Sequence, residues 1–413
     1  MSKILTSSYS LVREFALPLI LGITLALVWA NTDMEGYQAM LDTHLFDIFG
    51  LHLNTKEVIN DIFMAFFFGL ASKEIFESFL PGGCLNKPKM AINPILATIG
   101  GVIAPVIFFV SLATIFNRPE FFPGMAIPVA TSIAFAWLGG RLIFGQSHPA
   151  IQYLLLLAVI DDAIGMMILA IFFPTKALAL PFLGLTILAM GIAYLLRRLN
   201  IQQWWLYILV PGALSWFGFA LAGLHPSLAL TCIIPFMPIA KRDFGLFTTP
   251  KTSNCDETHG ACMHDFESQI KPIIDFGLFF FGLANAGVVI NTGSFGMLTF
   301  IVASSLVIGK FLGIAGIALV ANKIGLKAPE GIEAKHLPII AYLASVDITV
   351  SLFLADRVFA GTALESQAKL GALLTLIVPA TVIVYKVVSV IVTKLSHSKS
   401  KEVHYSPNKH LVH

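Results

Sequence analysis

Apolar residues fill long uninterrupted stretches of this chain, and polar residues gather between them. Twelve such stretches are read at roughly 11–31, 58–80, 93–117, 122–140, 149–173, 177–198, 203–221, 223–240, 270–290, 295–321, 335–359 and 368–395. Each has about 18 residues or more, the length a helix needs to cross about 30 Å of hydrocarbon. They do not alternate residue by residue in segments of about ten, as barrel strands do. The pattern therefore predicts an all-α polytopic membrane protein with about 12 transmembrane helices, forming a single transmembrane domain over residues 1–413.

Composition agrees with the pattern. The chain is 57% hydrophobic and 12% charged, against about 25% charged in an average soluble protein. A net charge of +2 names no partner, and nothing calls for nucleic acid or a cofactor. The placement of Lys and Arg is more informative. One set of loops holds Lys73, Lys87, Lys89, Arg141, Arg197, Arg198, Lys241, Arg242, Lys251, Lys323, Lys327 and Lys335, and the termini on that side add more. The other side holds only Lys56, Arg118, Lys176, Arg357 and Lys369. By the positive-inside rule both termini are cytoplasmic. The first span ends in Val28-Trp29-Ala30, which can pass for a signal-peptidase site, but with so many spans behind it an uncleaved first helix is expected.

Two segments outside the spans have some character. "HLFDIFGLHLN" (44–54) alternates around Gly50 and predicts a small external hairpin, suited to a dimer contact. The polar cytoplasmic loop 242–263 runs into "CDETHGACMH", which contains Cys255, His259, Cys262 and His264. Their spacing lacks the close paired ligands of ordinary zinc motifs, so no metal site is expected there. The four cysteines do not form a disulfide framework in so large an apolar chain.

The chemistry lies in the charges that interrupt the spans. Asp161 and Asp162, in "LLLLAVIDDAIGMMILAIFF" (154–173), sit at the middle of span 149–173. On the insertion scale an aspartate at that depth costs roughly 2.5–3.5 kcal/mol, and the pair roughly 5–7. A helix cap is excluded by the mid-span position, and adjacent acids are a poor packing device. Lys310 is near the middle of span 295–321 and Asp347 at the middle of span 335–359, while Asp61, Glu74 and Glu77 lie toward the ends of span 58–80, where Asp61 and Glu77 read as interfacial. Adjacent carboxylates in apolar surroundings can ligate a small hard cation through oxygen. They can also take up protons when the cation leaves, because desolvation and like charge favour the neutral form. With alternating access, that competition becomes exchange, and a nearby lysine can neutralise one carboxylate. This is the logic of a cation/proton antiporter.

Span 122–140 places Pro128, Thr131 and Ser132 at mid-depth, and span 335–359 has the polar centre "SVDITVS". Both predict broken helices whose freed backbone groups face a cation. Units 93–173 and 295–395 are compatible with an inverted repeat.

These residues resemble the NhaA-type sodium/proton antiporters of bacterial inner membranes. The resemblance covers essentially the whole chain and rests on "INDIFMAFFFGLASKE", "ATIGGVIAP", "PVATSIAFA", "AVIDDAIG", "GLHPSLA", "FGLANAGV" and "VIGKFLGI". It implies twelve helices with two unwound, crossing ones, and exchange of Na+ or Li+ for H+ in support of pH homeostasis. It implies Asp162 as principal cation ligand, Asp161 as proton exchanger and partner of Lys310, and Thr131 beside them. It also implies a pH response through Glu267, Glu74 and His225, a homodimer formed through the hairpin, and two protons exchanged per sodium.

There is one departure. The family's first crossing helix usually reads Thr-Asp, whereas this chain has Thr131-Ser132, and the second usually has glycine where this chain has Asp347. The resemblance thus implies that Asp347 supplies the charge that Ser132 lacks. A helix terminus is equivalent to about half a charge, so one carboxylate is the right size of compensation. The departure bears on cation preference, affinity and pH profile, and leaves the Asp-Asp site in place. A rival from another class is an intramembrane enzyme, but the "GxGD" of aspartyl proteases and the third acid of a "DDxxD" motif are both absent. A second rival, encouraged by Ser132, is a transporter-fold sensor that does not exchange ions.

Overall fold

The computed structural model describes residues 17–48, 51–78, 88–145, 148–174, 178–238, 262–291 and 293–389. Its elements are almost all helical: α1 (Leu17–Thr32), α2 (Met34–Asp42), α3 (Met64–Ser78), α4 (Pro88–Ile115), α5 (Ile133–Phe144), α6 (Pro149–Phe172), α7 (Leu183–Arg198), α8 (Ala213–Ala222), α9 (Cys262–Asn285), α10 (Met297–Ser304), α11 (Phe311–Lys323), α12 (His336–Leu343), α13 (Thr349–Val358) and α14 (Ala363–Leu373). Among the described residues, six helices are long and apolar enough to cross a membrane: Ala91–Ile115, Pro149–Phe172, Leu180–Arg198, Trp204–Ala222, Met297–Lys323 and Ala363–Ser389. This is an all-α, multi-pass membrane architecture. On α4 the residues Ile99, Ile103 and Ile107 form an exposed stripe at helical spacing, as a lipid-facing surface requires.

Between α1 and α3 the chain makes one short amphipathic helix and one strand pair. Asp33 caps α2 by accepting from the Gly36 N–H at 2.9 Å, and the Tyr37 hydroxyl donates to the Leu283 carbonyl at 2.6 Å. Strands β1 (His44–Ile48) and β2 (Leu51–Asn54) pair antiparallel. Asn54 and Glu57 then form a reciprocal capping box that starts the next helical segment.

Glycines set two of the closest helix crossings. A Cβ on Gly100 of α4 would lie 2.5 Å from the Gly313 carbonyl oxygen of α11, and one on Gly313 would strike the Gly100 carbonyl. The "GG" of 100–101 and the "GKFLG" of 309–313 are thus what lets Lys310 approach the interior. Gly22 of α1 and Gly282 of α9 allow a second backbone-to-backbone contact of the same kind.

Where an apolar span is expected over 223–240, the described part is two 3-10 segments, Pro226–Cys232 and Ile234–Phe236. Pro226, Pro235 and Pro238 interrupt the hydrogen-bond ladder that an α-helix there needs. Three longer helices contain single π turns, at Val58–Phe63, Ile208–Gly212 and Ser305–Lys310. Residues 11–16 of the first expected span, 390–395 of the last and 242–261 of the polar loop lie outside the described residues. Cys262 and Met263 are the buried start of α9. Among the described residues, no group of three or more His, Cys, Asp or Glu is arranged to hold a metal.

Candidate functional site

Two interrupted helical segments meet at their breaks. In the first, a 3-10 segment Pro119–Ala126 is followed by residues 127–132 outside any helix, and then by α5. In the second, residues 344–348 separate α12 from α13. The breaks are hydrogen-bonded to each other: the Ser132 N–H donates to the Val346 carbonyl at 2.9 Å, and the Ile348 N–H donates to Ser132 Oγ at 3.2 Å. Both α5 and α13 begin at this point, so two positive helix termini converge on it.

Asp347 lies between those termini. Its Oδ2 accepts from the Ser351 N–H at 2.8 Å and lies 2.7 Å from the Ser351 hydroxyl. Its Oδ1 accepts from the Ser132 hydroxyl at 3.3 Å, and Thr349 Oγ1 is 3.5 Å from that hydroxyl. The Ser351 hydroxyl also reaches the Ile127 carbonyl at 2.8 Å, tying α13 to the first break. Asp347 therefore caps α13 and touches the N-cap residue of α5. It is 0% exposed.

The facing α6 brings Asp161 and Asp162 to the same level. Thr131 Oγ1 is 2.7 Å from Asp161 Oδ2 and 3.0 Å from the Ala344 carbonyl. Lys310 Nζ forms an ion pair with Asp161 Oδ2 at 2.9 Å. The ammonium also donates to the Val129 carbonyl at 2.6 Å and to the Ala130 carbonyl. These are carbonyls freed by the first break, so a cation of the protein itself occupies the negative end of the interrupted segment. Asp161 Oδ1 and Asp162 Oδ1 are both buried with no hydrogen-bond partner. Asp161 and Lys310 are 0% exposed and Asp162 is 5% exposed. Asp347 and Asp161 act on Asp162 as like charges, and Lys310 as the opposite charge.

Of the expected site residues, Asp161, Thr131 and Lys310 are in direct contact, and so are Ser132 and Asp347. Glu74, Glu267 and His225 are not part of this centre, nor do they form one group. Lys73 Nζ lies 2.7 Å from Glu267, 2.5 Å from Glu77 and 3.7 Å from Glu74. Glu267 precedes the apolar stretch 270–290. Burial raises its carboxyl, but Lys73, joined by Lys271 and His264, outweighs that effect and holds the group below its usual range. His225 is in a separate cluster: Ser227 Oγ is 2.8 Å from its Nδ1, and Asp61 Oδ1 is 3.7 Å from the same nitrogen. Along α3 and the π turn before it, Asp61 and Lys73 are twelve residues apart, about 18 Å by helix rise.

Sequence reasoning missed Ser351, the partner that saturates Asp347, and the pairing of Arg357 with Asp61, which it read as interfacial. Arg357 Nη2 donates to Asp61 Oδ1 at 3.0 Å, and Asp356 pairs with Lys56 at 2.6 Å and Lys369 at 2.8 Å. A signal was available: Lys56, Arg357 and Lys369 are three of the few basic residues on their side.

The chain matches the family model described as Na+/H+ antiporter 1 over residues 11–387. It belongs to that family. It is 44% identical over 371 residues to the Na(+)/H(+) antiporter NhaA of Geobacter sulfurreducens, covering 89% of this chain and 94% of the relative. It is 42% identical over 394 residues to the NhaA of Geotalea uraniireducens, covering 95% and 99%. With the NhaA of a Jannaschia species it shares 35% identity over 431 residues, covering 96% and 99%. These NhaA relatives are named as transporters, not enzymes, which removes the intramembrane enzyme as a reading.

Proposed function

We propose that the chain exchanges Na+, or Li+, for protons across the bacterial inner membrane by alternating access, with cation and protons competing for Asp161 and Asp162. The observation that carries this reading is the pair of buried, unpartnered oxygens, Asp161 Oδ1 and Asp162 Oδ1. An unsatisfied buried carboxylate is costly. Either a cation or a proton relieves that cost, and occupancy by one displaces the other. The relatives, named as Na(+)/H(+) antiporters, support sodium and protons as the exchanged pair.

Asp162 is the principal ligand, with Asp161 and the Thr131 hydroxyl supplying further oxygens. In the empty site Lys310 neutralises Asp161. A cation arriving between the carboxylates puts a like charge beside the Lys310 ammonium, weakens the ion pair and favours proton release. With two protons exchanged per cation, one net charge moves per cycle, and the membrane potential contributes about 2.3 kcal/mol per 100 mV.

Asp347 is the fixed counter-charge of the two helix termini, taking the place that an acid at position 132 would fill. Lys73 and its acids, together with His225, tune the response to pH. Glu267 acts there as counter-charge to Lys73 and not as the group that titrates, because its carboxyl is held low. The remaining architecture of this reading is twelve spans with both termini cytoplasmic, inverted units 93–173 and 295–395, and a homodimer in the lipid bilayer joined through the strand pair at 44–54.

The test is proton movement in everted vesicles when Na+, Li+ or K+ is added, between pH 6.5 and 8.5 on the order of physiological values. Cation-dependent collapse of the pH gradient, absent in Asp162→Asn, supports exchange at this site. No response from folded, inserted protein favours the sensor reading that Ser132 encourages.

A further inference from the structure

α13 links the crossing to the far side of the molecule. Its first turn adjoins Asp347, and its last turn carries Arg357, about 15 Å further along by helix rise. That end lies on the side which the charge pattern assigns to the outside. Arg357 pairs there with Asp61 at 3.0 Å, side chains 28% and 13% exposed. Directly beneath the pair is a layer of rings. The Arg357 guanidinium is 5.6 Å from the centroid of Phe353. Phe353 packs edge-on against Phe68 at 6.0 Å and against His225 at 4.8 Å. All three rings are buried. In order from the surface inward come an ion pair, a buried aromatic layer and then the acids of the crossing.

We propose that the Asp61–Arg357 pair, with the Phe68–Phe353–His225 layer under it, is the outer gate of the transport path, closed in this structure. The pair separates when the site opens outward. This inference rests on the alternating-access reading given above. The gate's parts come from different segments: Phe353 and Arg357 from α13, Asp61 and Phe68 from α3 and its leading π turn, and His225 from the loop after α8. Moving α13 against α3 therefore opens it without unfolding either helix. Asp61 lies within the π turn Val58–Phe63 and α13 starts at a break, and both are places where helices hinge readily. The ring layer excludes water beneath the ion pair, which strengthens the pair while it is closed. Arg357 Nε and His225 Nε2 have no hydrogen-bond partner, so the Asp61–Arg357 contact is not a fully satisfied structural bridge, and beside it Asp356 of α13 pairs with Lys56, just ahead of the π turn, at 2.6 Å.

The test uses a cysteine reporter below the gate. Val350 of α13 is buried and faces Gly165 of α6, one turn beyond Asp162. A Val350→Cys protein, with the native cysteines replaced by serine, is treated in right-side-out vesicles with a membrane-impermeant thiol reagent. Labelling is expected to be slow in this parent. It should rise about tenfold or more in both Arg357→Gln and Asp61→Asn, since close charge pairs couple at least that strongly. The charge-exchanged Asp61→Arg/Arg357→Asp protein should return toward the parent rate. If both single variants label at the parent rate, the gate assignment is overturned. The readout needs no ion exchange, so a parent that fails the everted-vesicle assay would sink the proposed function and leave this test readable.

Discussion

The two acidic centres of the crossing differ in how fully they are satisfied. Asp347 has Ser351 on one oxygen and Ser132 on the other, and both come from the helix termini it sits between. Asp161 and Asp162, on the neighbouring α6, each keep one buried oxygen without a partner. All three carboxylates are buried to a similar degree, so depth does not separate them. Hydrogen bonding does. A saturated carboxylate is a fixed charge that holds two broken helices in place, whereas an unsaturated one waits for a ligand. The contrast supports the proposed reading, with transport at the pair on α6 and scaffolding by the acid on the break.

That division is breakable by substitution. Asp162→Asn should have the largest effect, lowering cation-dependent exchange at least about a hundredfold while the protein stays folded, as a lost ligand to a desolvated charge does. Measured exchange above a tenth of the parent's would remove Asp162 from the central role. Asp347→Asn should cost about tenfold in exchange, since a carboxylate at a partly buried helix terminus contributes up to ~2 kcal/mol. Ser132→Asp added to Asp347→Asn should restore most of it, because the charge returns to the same pair of termini. A double variant no better than the single one would contradict the shared-charge account. Ser351→Ala should lower thermal stability by about 1.5–3 kcal/mol, the range for a hydrogen bond to a charged group, with little change in cation preference. A change in the Na+/Li+ ratio would mean that Asp347 is itself a ligand.

The smallest effect is expected at Glu267. Its carboxyl is held below the usual range by Lys73, so the stabilisation it gives is present above the ordinary carboxylate value and is lost as pH falls through the lower folded value. It stays charged at neutral pH. Glu267→Gln should therefore shift the pH profile of exchange by less than about one unit with the maximal rate retained. A profile that becomes flat would make Glu267 the titrating group after all.

Much of this centre was legible in the sequence because membrane burial makes polar residues conspicuous. Asp161, Asp162, Lys310 and Asp347 stand out as charges at mid-span, and "PVATS" and "SVDITVS" as polar centres where helices break. Their partners were not legible. Ser351 looks like any helix serine until α13 is known to start at 349, which makes it the third residue of a helix that Asp347 caps. Asp61 and Arg357 are 296 residues apart, and no local pattern joins them. The π turns leave no periodic signature, and the prolines that turn 226–236 into 3-10 segments sit in a stretch whose hydropathy alone reads as a span.

Competition at Asp161 and Asp162 can be read from sodium binding to the purified protein, followed by calorimetry across a pH series. Affinity should weaken toward acid by about tenfold per pH unit for each competing proton, and Asp162→Asn should abolish the binding. Affinity independent of pH, or binding retained in Asp162→Asn, would contradict that competition.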